Sequence, residues 1–143
     1  MNFVILGCGR VGSRLAISLD KLGHKVSIID KNADAFKRLP VSYKGQAVVG
    51  VGIDEDVLKS AGIEQADVFA AVTNGDNTNI MASQVAKELF QVPRVIARIY
   101  DPIREDTYHT LGLETICPTT LIASQIINSV LPEDLTAVAS EAR

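Results

Sequence analysis

A chain of 143 residues, 47% hydrophobic and 22% charged, has the size and make-up of one globular domain rather than two domains or a disordered tail. Its net charge of -3, with no basic run and only 5% aromatics, lacks the electrostatic footprint of a nucleic-acid-binding protein. No apolar run approaches the roughly 20 residues of a membrane span, and residues 1–6 are too short and wrongly flanked for a signal peptide, so a soluble chain is expected. Taken in chain order, the short apolar run 3–6 predicts a first strand, and Val11, Leu15, Leu19 and Leu22 predict a helix stripe at the 3.6-residue period. A second strand is expected at 25–29, then a helix starting at Asn32-Ala33-Asp34, a loop at 44–46 and a third strand at 47–49. Asp54 reads as the cap of a helix over 55–60, ahead of a fourth strand at 68–72. Met81, Val85 and Leu89 mark the next helix stripe, with Asp76 as its cap after a turn at Asn74-Gly75. Strands at 95–99 and 114–116 enclose a surface helix that ends at His109, and an apolar helix follows Pro118 and stops at Pro132.

Six strands alternate with six helices. That order predicts an α/β, Rossmann-like, doubly wound parallel six-stranded sheet of order 3-2-1-4-5-6, because each parallel crossover needs a helix and buries its strands in continuous Val/Ile/Leu runs. The two cysteines, Cys8 and Cys117, have neither CxxC spacing nor a neighbouring histidine. A zinc site or thiol redox centre is therefore not expected, and the reducing cytoplasm is the expected compartment.

The strongest chemical signal is Gly7-Cys8-Gly9-Arg10-Val11-Gly12, directly after the first strand and opening the first helix. Gly7 can take a tight turn, Gly9 lets backbone N–H groups approach a pyrophosphate, and Gly12 allows close helix-to-strand packing, with the phosphate at the helix N-terminus. Asp30 ends the second strand 18 residues later, where a carboxylate accepts hydrogen bonds from ribose hydroxyls and repels a 2′-phosphate, favouring NAD(H) or an adenosine nucleotide over NADP. Its other reading is a turn or cap aspartate before the following helix. Lys31 reaches a phosphate or is simply solvated. In the 3-2-1-4-5-6 order, strands 1 and 4 are neighbours whose carboxyl ends open the ligand crevice. Thr73, Asn74 and Gly75 after strand 4 are thus expected to line the nicotinamide or second-phosphate side. Val51, Gly52 and Ile53, after strand 3, should pass near an adenine.

From Asn2 to Leu131 the order of motifs resembles the nucleotide-binding lobe of the RCK/KTN (TrkA-N) family, cytoplasmic regulators of potassium channels and Trk or Ktr potassium transporters. The pieces that carry the resemblance are the Gly7–Gly12 loop, Asp30 with Lys31, Gly50 followed by Asp54-Glu55-Asp56-Val57-Leu58 and Ala61-Gly62-Ile63, Ala71-Val72-Thr73 leading to Asn79, and Ala97-Arg98-Ile99 with Leu111-Gly112. The resemblance implies a bound NAD(H), ATP or ADP, with Arg10 reaching phosphates, including across a subunit boundary, and Arg98 among the cofactor-binding residues. It further implies a homodimer or higher ring at the inner face of the membrane, held there by a membrane-embedded potassium channel or transporter subunit.

Two departures from that family stand out. Where members commonly have an aspartate contacting adenine and a threonine two residues later, this chain has Val51 and Ile53, so adenine contact would be apolar or through backbone. Where several members place a cation-binding acid after the proline following strand 6, this chain has Pro118-Thr119-Thr120, which argues against a metal site. Residues 1–131 are expected to form the nucleotide-binding domain, with 132–143 a short tail. In the last helix, 119–131, Leu121, Ile122, Ile126, Ile127, Val130 and Leu131 exceed what one face of a strand needs, so part of that stripe should cover the sheet and part dock on a second subunit. A dehydrogenase's NAD-binding domain is the alternative reading. Against it, His24 and His109 sit in unpromising places for a positioned acid or base, and no residues remain for a substrate domain.

Overall fold

In the computed structural model, which describes residues 1–135, the first of the six strands lies in the middle of the sheet. Strands β1 (Asn2–Leu6), β2 (Lys25–Asp30), β3 (Gln46–Val49), β4 (Val68–Ala71), β5 (Arg94–Arg98) and β6 (Glu114–Ile116) all pair in parallel, in the order β3-β2-β1-β4-β5-β6. This is the expected Rossmann-like order. The register brings Leu6 level with Ile29 on one side and Ala71 on the other, so the carboxyl ends of β1, β2 and β4 finish together. β4 ends at Ala71, and the Val72 N–H makes one more ladder bond, donating to the Leu6 carbonyl at 2.8 Å.

Successive side chains leave a strand on opposite faces, and both faces of the central strands are covered. Val4, Leu6, Ile29 and Phe69 lie in one core with Leu58 and Ile80 from the helices α2 (Glu55–Ser60) and α3 (Asp76–Gln84). Ile5, Val26 and Ile28 lie in the other with Ala16 of α1 (Arg10–Lys21) and, around it, Leu15, Leu19, Phe36 and Tyr43. Helix α4 (Pro102–Thr110) precedes β6, and α5 (Pro118–Val130) follows it.

The helix faces differ from the stripes expected of the sequence. In α1 the buried residues are Gly12, Ser13 and Ala16, while Val11 and Leu22 are exposed. The helix lies too close to the sheet for large residues at its centre line, so Leu15 and Leu19 flank the contact and the outer two face water. In α3 the buried face is Asn79, Ile80, Ala82 and Ser83, and Met81 and Leu89 are exposed. Its last turn, Val85–Leu89, is π-helical, and the extra residue in that turn breaks the 3.6-residue register on which the Met81-Val85-Leu89 stripe depends. Only Val85 of the three packs on the core. After β2 the expected helix is a 3₁₀ segment, Ala33–Arg38, with the Asn32 side chain accepting from the Asp34 N–H.

Helix α5 departs furthest. None of its residues is buried, and Leu121, Ile122, Ile126 and Val130 are each more than half exposed. The part of the stripe expected to cover the sheet does not do so. The expected tail 132–143 falls mostly outside the described residues.

Candidate functional site

The crevice is built where β1, β2 and β4 end. Gly7 takes φ +107°, a conformation that strains any other residue, and its N–H donates to the Ile29 carbonyl at 2.7 Å. A Cβ there would come within 3.0 Å of the Thr73 backbone N, so the loop after β1 rests directly on the loop after β4. At Gly12 a Cβ would lie 1.7 Å from the Gly7 carbonyl oxygen, which is how closely α1 packs on its own entry loop. Gly9 contrasts with both. Its backbone is ordinary, φ -86°, and a Cβ would meet nothing within 4 Å. Gly9 caps α1 with no side-chain hydrogen bond, and the first turn holds no acidic residue. The helix therefore presents unsatisfied N–H groups and its positive dipole end to open space, the arrangement that receives an anion.

Asp30 closes the other wall. Its Oδ2 accepts from the Cys8 N–H at 2.8 Å and its Oδ1 from the Asn32 N–H at 2.9 Å. The turn-aspartate reading thus holds, and each oxygen keeps a second lone pair for a ribose hydroxyl. The carboxylate also fixes the glycine loop. Cys8 turns inward, buried, with its Sγ donating to the Ala35 carbonyl at 3.4 Å, and burial foremost, then the Asp30 charge, push its thiol above the ordinary range. It offers the site a neutral thiol, and its N–H is already engaged. Arg10, Val11 and Lys31 are exposed at the mouth, Arg10 beside Arg14 and Arg38 along an open groove on α1. Across the crevice Val51 and Ile53 are about half exposed, whereas Gly52 is buried where a Cβ would strike the Leu6 side chain at 2.3 Å. Gly52 is a packing glycine between two apolar rim residues, and Asp54 caps α2 through the Asp56 and Val57 N–H groups as expected.

The loop after β4 is held more tightly than its composition suggests. Thr73 donates its N–H and its hydroxyl to Asn79 Oδ1, at 3.0 and 2.7 Å, and its carbonyl accepts from Asn79 Nδ2 at 2.9 Å. The same carbonyl accepts from Arg98 Nη2 and Nε, at 2.7 and 3.2 Å, and Asn79 Nδ2 also donates to the Arg98 carbonyl at 2.8 Å. Arg98 thus lies under the loop, its guanidinium 4.7 Å from the centre of the Tyr100 ring. Asn74 is exposed, and the Gly75 N–H donates to Thr73 Oγ1 at 3.2 Å. Asp76 does not cap α3, as the sequence suggested. Gly75 occupies the cap position, and the Asp76 carboxylate instead accepts from the Tyr100 and Asp101 N–H groups at 2.8 and 3.2 Å. Its strong acceptors reach across to the loop after β5, where these two N–H groups have no other partner among the described residues.

The TrkA-N domain model matches residues 3–119. The chain belongs to the TrkA-N family. Among curated relatives, the Trk system potassium uptake protein TrkA of Streptomyces coelicolor is 49% identical over 132 residues, which cover 92% of this chain and 59% of that protein. The TrkA of Vibrio alginolyticus is 43% identical over 102 residues, 71% of this chain and 22% of that one. The chain thus spans about three-fifths or less of these relatives. Among solved structures, GsuK bound to ADP aligns with a TM-score of 0.73 at 26% identity, covering 89% of this chain and 33% of that one. The TrkA-N domain of the inner membrane protein ybaL from Escherichia coli aligns at 0.78, with 20% identity and coverage of 91% and 96%, a likeness of fold.

Within this TrkA-N domain, the residues singled out from sequence gather at one end of the sheet, but they divide in position. Gly9, Arg10, Val11, Lys31, Val51, Ile53 and Asn74 face outward, while Gly7, Cys8, Gly12 and Gly52 are buried. Asn79 and Asp76 are organising residues whose roles the sequence did not assign, Asn79 entering only through the resemblance and Asp76 only as a helix cap. The signal for Asn79 was a polar side chain on what proves to be the buried face of α3, fully enclosed and using both ends of its amide.

Proposed function

We propose that this chain is the nucleotide-sensing lobe of a cytoplasmic regulator of potassium transport. It binds NAD(H) or ATP/ADP at the α1 N-terminus and acts, as a dimer or higher ring, on a membrane-embedded channel or transporter subunit. One observation carries the reading: Gly9 is a glycine for which the fold has no use. Its φ and ψ suit any residue and nothing occupies the space beside it, yet it stands at an uncapped helix N-terminus next to a carboxylate. A ligand that approaches the backbone explains the missing side chain, and a phosphate satisfies the free N–H groups. The GsuK neighbour bound to ADP and the TrkA relatives support the same ligand class and system. Asp30, with lone pairs to spare beside the loop, suits an unphosphorylated ribose. Arg10 and Lys31 at the mouth supply charge toward the phosphates.

The chemistry available is binding rather than turnover. His24 lies at the amino end of β2, its Nδ1 3.2 Å from the Met1 amine and its ring edge-on to Phe3, across the sheet from the crevice. Cys8 is a buried neutral thiol.

Calorimetric titration of ADP, ATP, NAD and NADH into the parent and Gly9→Val proteins tests the reading. The variant should fold normally, since open space receives the side chain, and lose at least tenfold in affinity, about 1.4 kcal/mol. A folded Gly9→Val protein that binds as tightly as the parent would overturn the assignment. For the parent, a nucleotide at 100 times its Kd should add about 2.7 kcal/mol to stability.

A further inference from the structure

The first turn of α5 is joined to the crevice by a short run of contacts through Tyr100. At one end, the Thr73 carbonyl accepts from the Arg98 guanidinium, which stacks over the Tyr100 ring. In the middle, Asp76, the first residue of α3 after the crevice loop, holds the N–H groups of Tyr100 and Asp101. At the far end, the Tyr100 carbonyl accepts from Thr119 Oγ1 at 2.8 Å and from Cys117 Sγ at 3.6 Å. Among the described residues of α5, Thr119 supplies the side-chain hydrogen bond that reaches another strand–helix unit. Because no residue of α5 is buried and only Pro118, Thr120, Ser124 and Ile127 are half-buried, packing holds the helix weakly, and this polar tie carries a large share of its attachment.

We infer that Tyr100 is the positioning link through which occupancy of the crevice beside Thr73 and Gly75 is passed to α5. The inference rests on the nucleotide reading and assigns its regulation to particular atoms. The crevice loop has little freedom of its own, since Thr73 is bonded through its N–H, hydroxyl and carbonyl. A ligand that draws on this loop must therefore move Arg98 and Asp76 with it, and both grip Tyr100. The Tyr100 carbonyl then shifts against Thr119, and α5, bearing Leu121, Ile122, Ile126 and Val130 in the open, follows. A ligand shifts such an equilibrium only by its differential affinity for the two arrangements, and the coupling is reciprocal, so a partner seated on α5 changes nucleotide affinity by the same factor.

Thr119→Val removes the hydroxyl at nearly constant shape, and Thr119→Ser restores it. The experiment is hydrogen exchange of the α5 backbone amides in the parent and both variants, with and without saturating ADP or NAD, alongside calorimetric affinities. In the parent, nucleotide should change α5 exchange at least fivefold. In Thr119→Val that response should vanish while affinity for nucleotide stays within about threefold, and Thr119→Ser should recover it. A merely structural role for the hydroxyl would change α5 exchange equally with and without nucleotide, which overturns the link. So would a parent that binds nucleotide with α5 exchange unaltered, or a Thr119→Val protein that responds like the parent. A parent that binds neither nucleotide overturns the functional reading itself, an outcome the calorimetry separates from failure of the link.

Discussion

Gly9 and Gly12 stand three residues apart in one loop, yet a methyl group would fare differently at each. At Gly12 it would overlap the Gly7 carbonyl oxygen, a backbone atom that cannot step aside, so Gly12→Ala should cost at least about 2 kcal/mol and lower the melting temperature well beyond any effect on ligand. A thermal melt of the unliganded protein checks this, and Gly9→Val in the same assay should melt close to the parent. The two roles were legible in the motif, because the spacing alone assigns the third glycine to packing and the second to ligand approach. The dual engagement of Asp30 was not legible, since nothing in a sequence says that an aspartate's oxygens are already occupied by Cys8 and Asn32 N–H groups. Tyr43 is a second residue whose surroundings decide its chemistry. Its phenol donates to the Val26 carbonyl at 3.1 Å, and burial first, then the Asp20 charge, raise it far above the usual tyrosine range. The folded state therefore holds that proton more tightly than the unfolded chain. The stabilisation is fully present below about pH 10 and is lost as pH rises above it. Urea unfolding from pH 8 to 11.5 should show a steeper alkaline decline in the parent than in Tyr43→Phe.

At the scale of the element, α3 shows how a polar residue can do what an apolar stripe was expected to do. Asn79 bonds the loop before the helix to the end of β5, so α3 is fixed at its first turn by an amide as well as by Ile80 and Ala82. Asn79→Ala should leave the Thr73 N–H and the Arg98 carbonyl without their present partner in a half-buried place. The expected loss is roughly 2–4 kcal/mol of stability, read by chemical denaturation, together with weaker nucleotide binding from a loosened loop. The helical pattern misled here for a stated reason. Small residues, Gly12, Ser13 and Ala16 in α1, Ala82 and Ser83 in α3 and Ala86 in the π-helical turn after it, are among the buried ones, and small residues carry almost no signal in a pattern of large apolar ones. The π-helical turn at Val85–Leu89 then displaced what pattern remained. Strands suffered less, because a strand buried on both faces is a continuous apolar run whatever covers it.

For the molecule as a whole, the order of strands was readable because six apolar runs separated by crossover lengths admit few arrangements, and the glycine loop after the first run names the central strand. What could not be read was that α5 buries none of its residues. Its apolar residues look the same in sequence whether they cover a sheet or a partner, and only the fold leaves Leu121, Ile122 and Ile126 in the open. If that surface is where two copies meet, Ile126→Glu should leave the melting temperature of the dilute protein within a degree or two and abolish self-association in sedimentation velocity. A protein that sediments identically before and after the change would exclude that helix as the contact.

The central position of β1 also sets the timetable of folding. β1 is synthesised well before β4, but its Phe3 pairs with Val68 and its glycine loop leans on Thr73, contacts some 65 residues away in the chain. Such closures are slow relative to local ones, and nothing nearer can stand in for them. While the polypeptide is growing, residues 1–50 can assemble β3-β2-β1 with one flank of β1 bare, an exposed edge of the kind that invites pairing with another chain. Gly7 has its hydrogen bond to Ile29 but no Thr73 backbone to rest on until β4 and its following turn emerge, so the glycine loop is among the last parts of the crevice to become rigid. A nascent chain stalled before residue 68 should therefore be protease-sensitive at the glycine loop and gain protection there in one step as β4 and its following turn clear the ribosome.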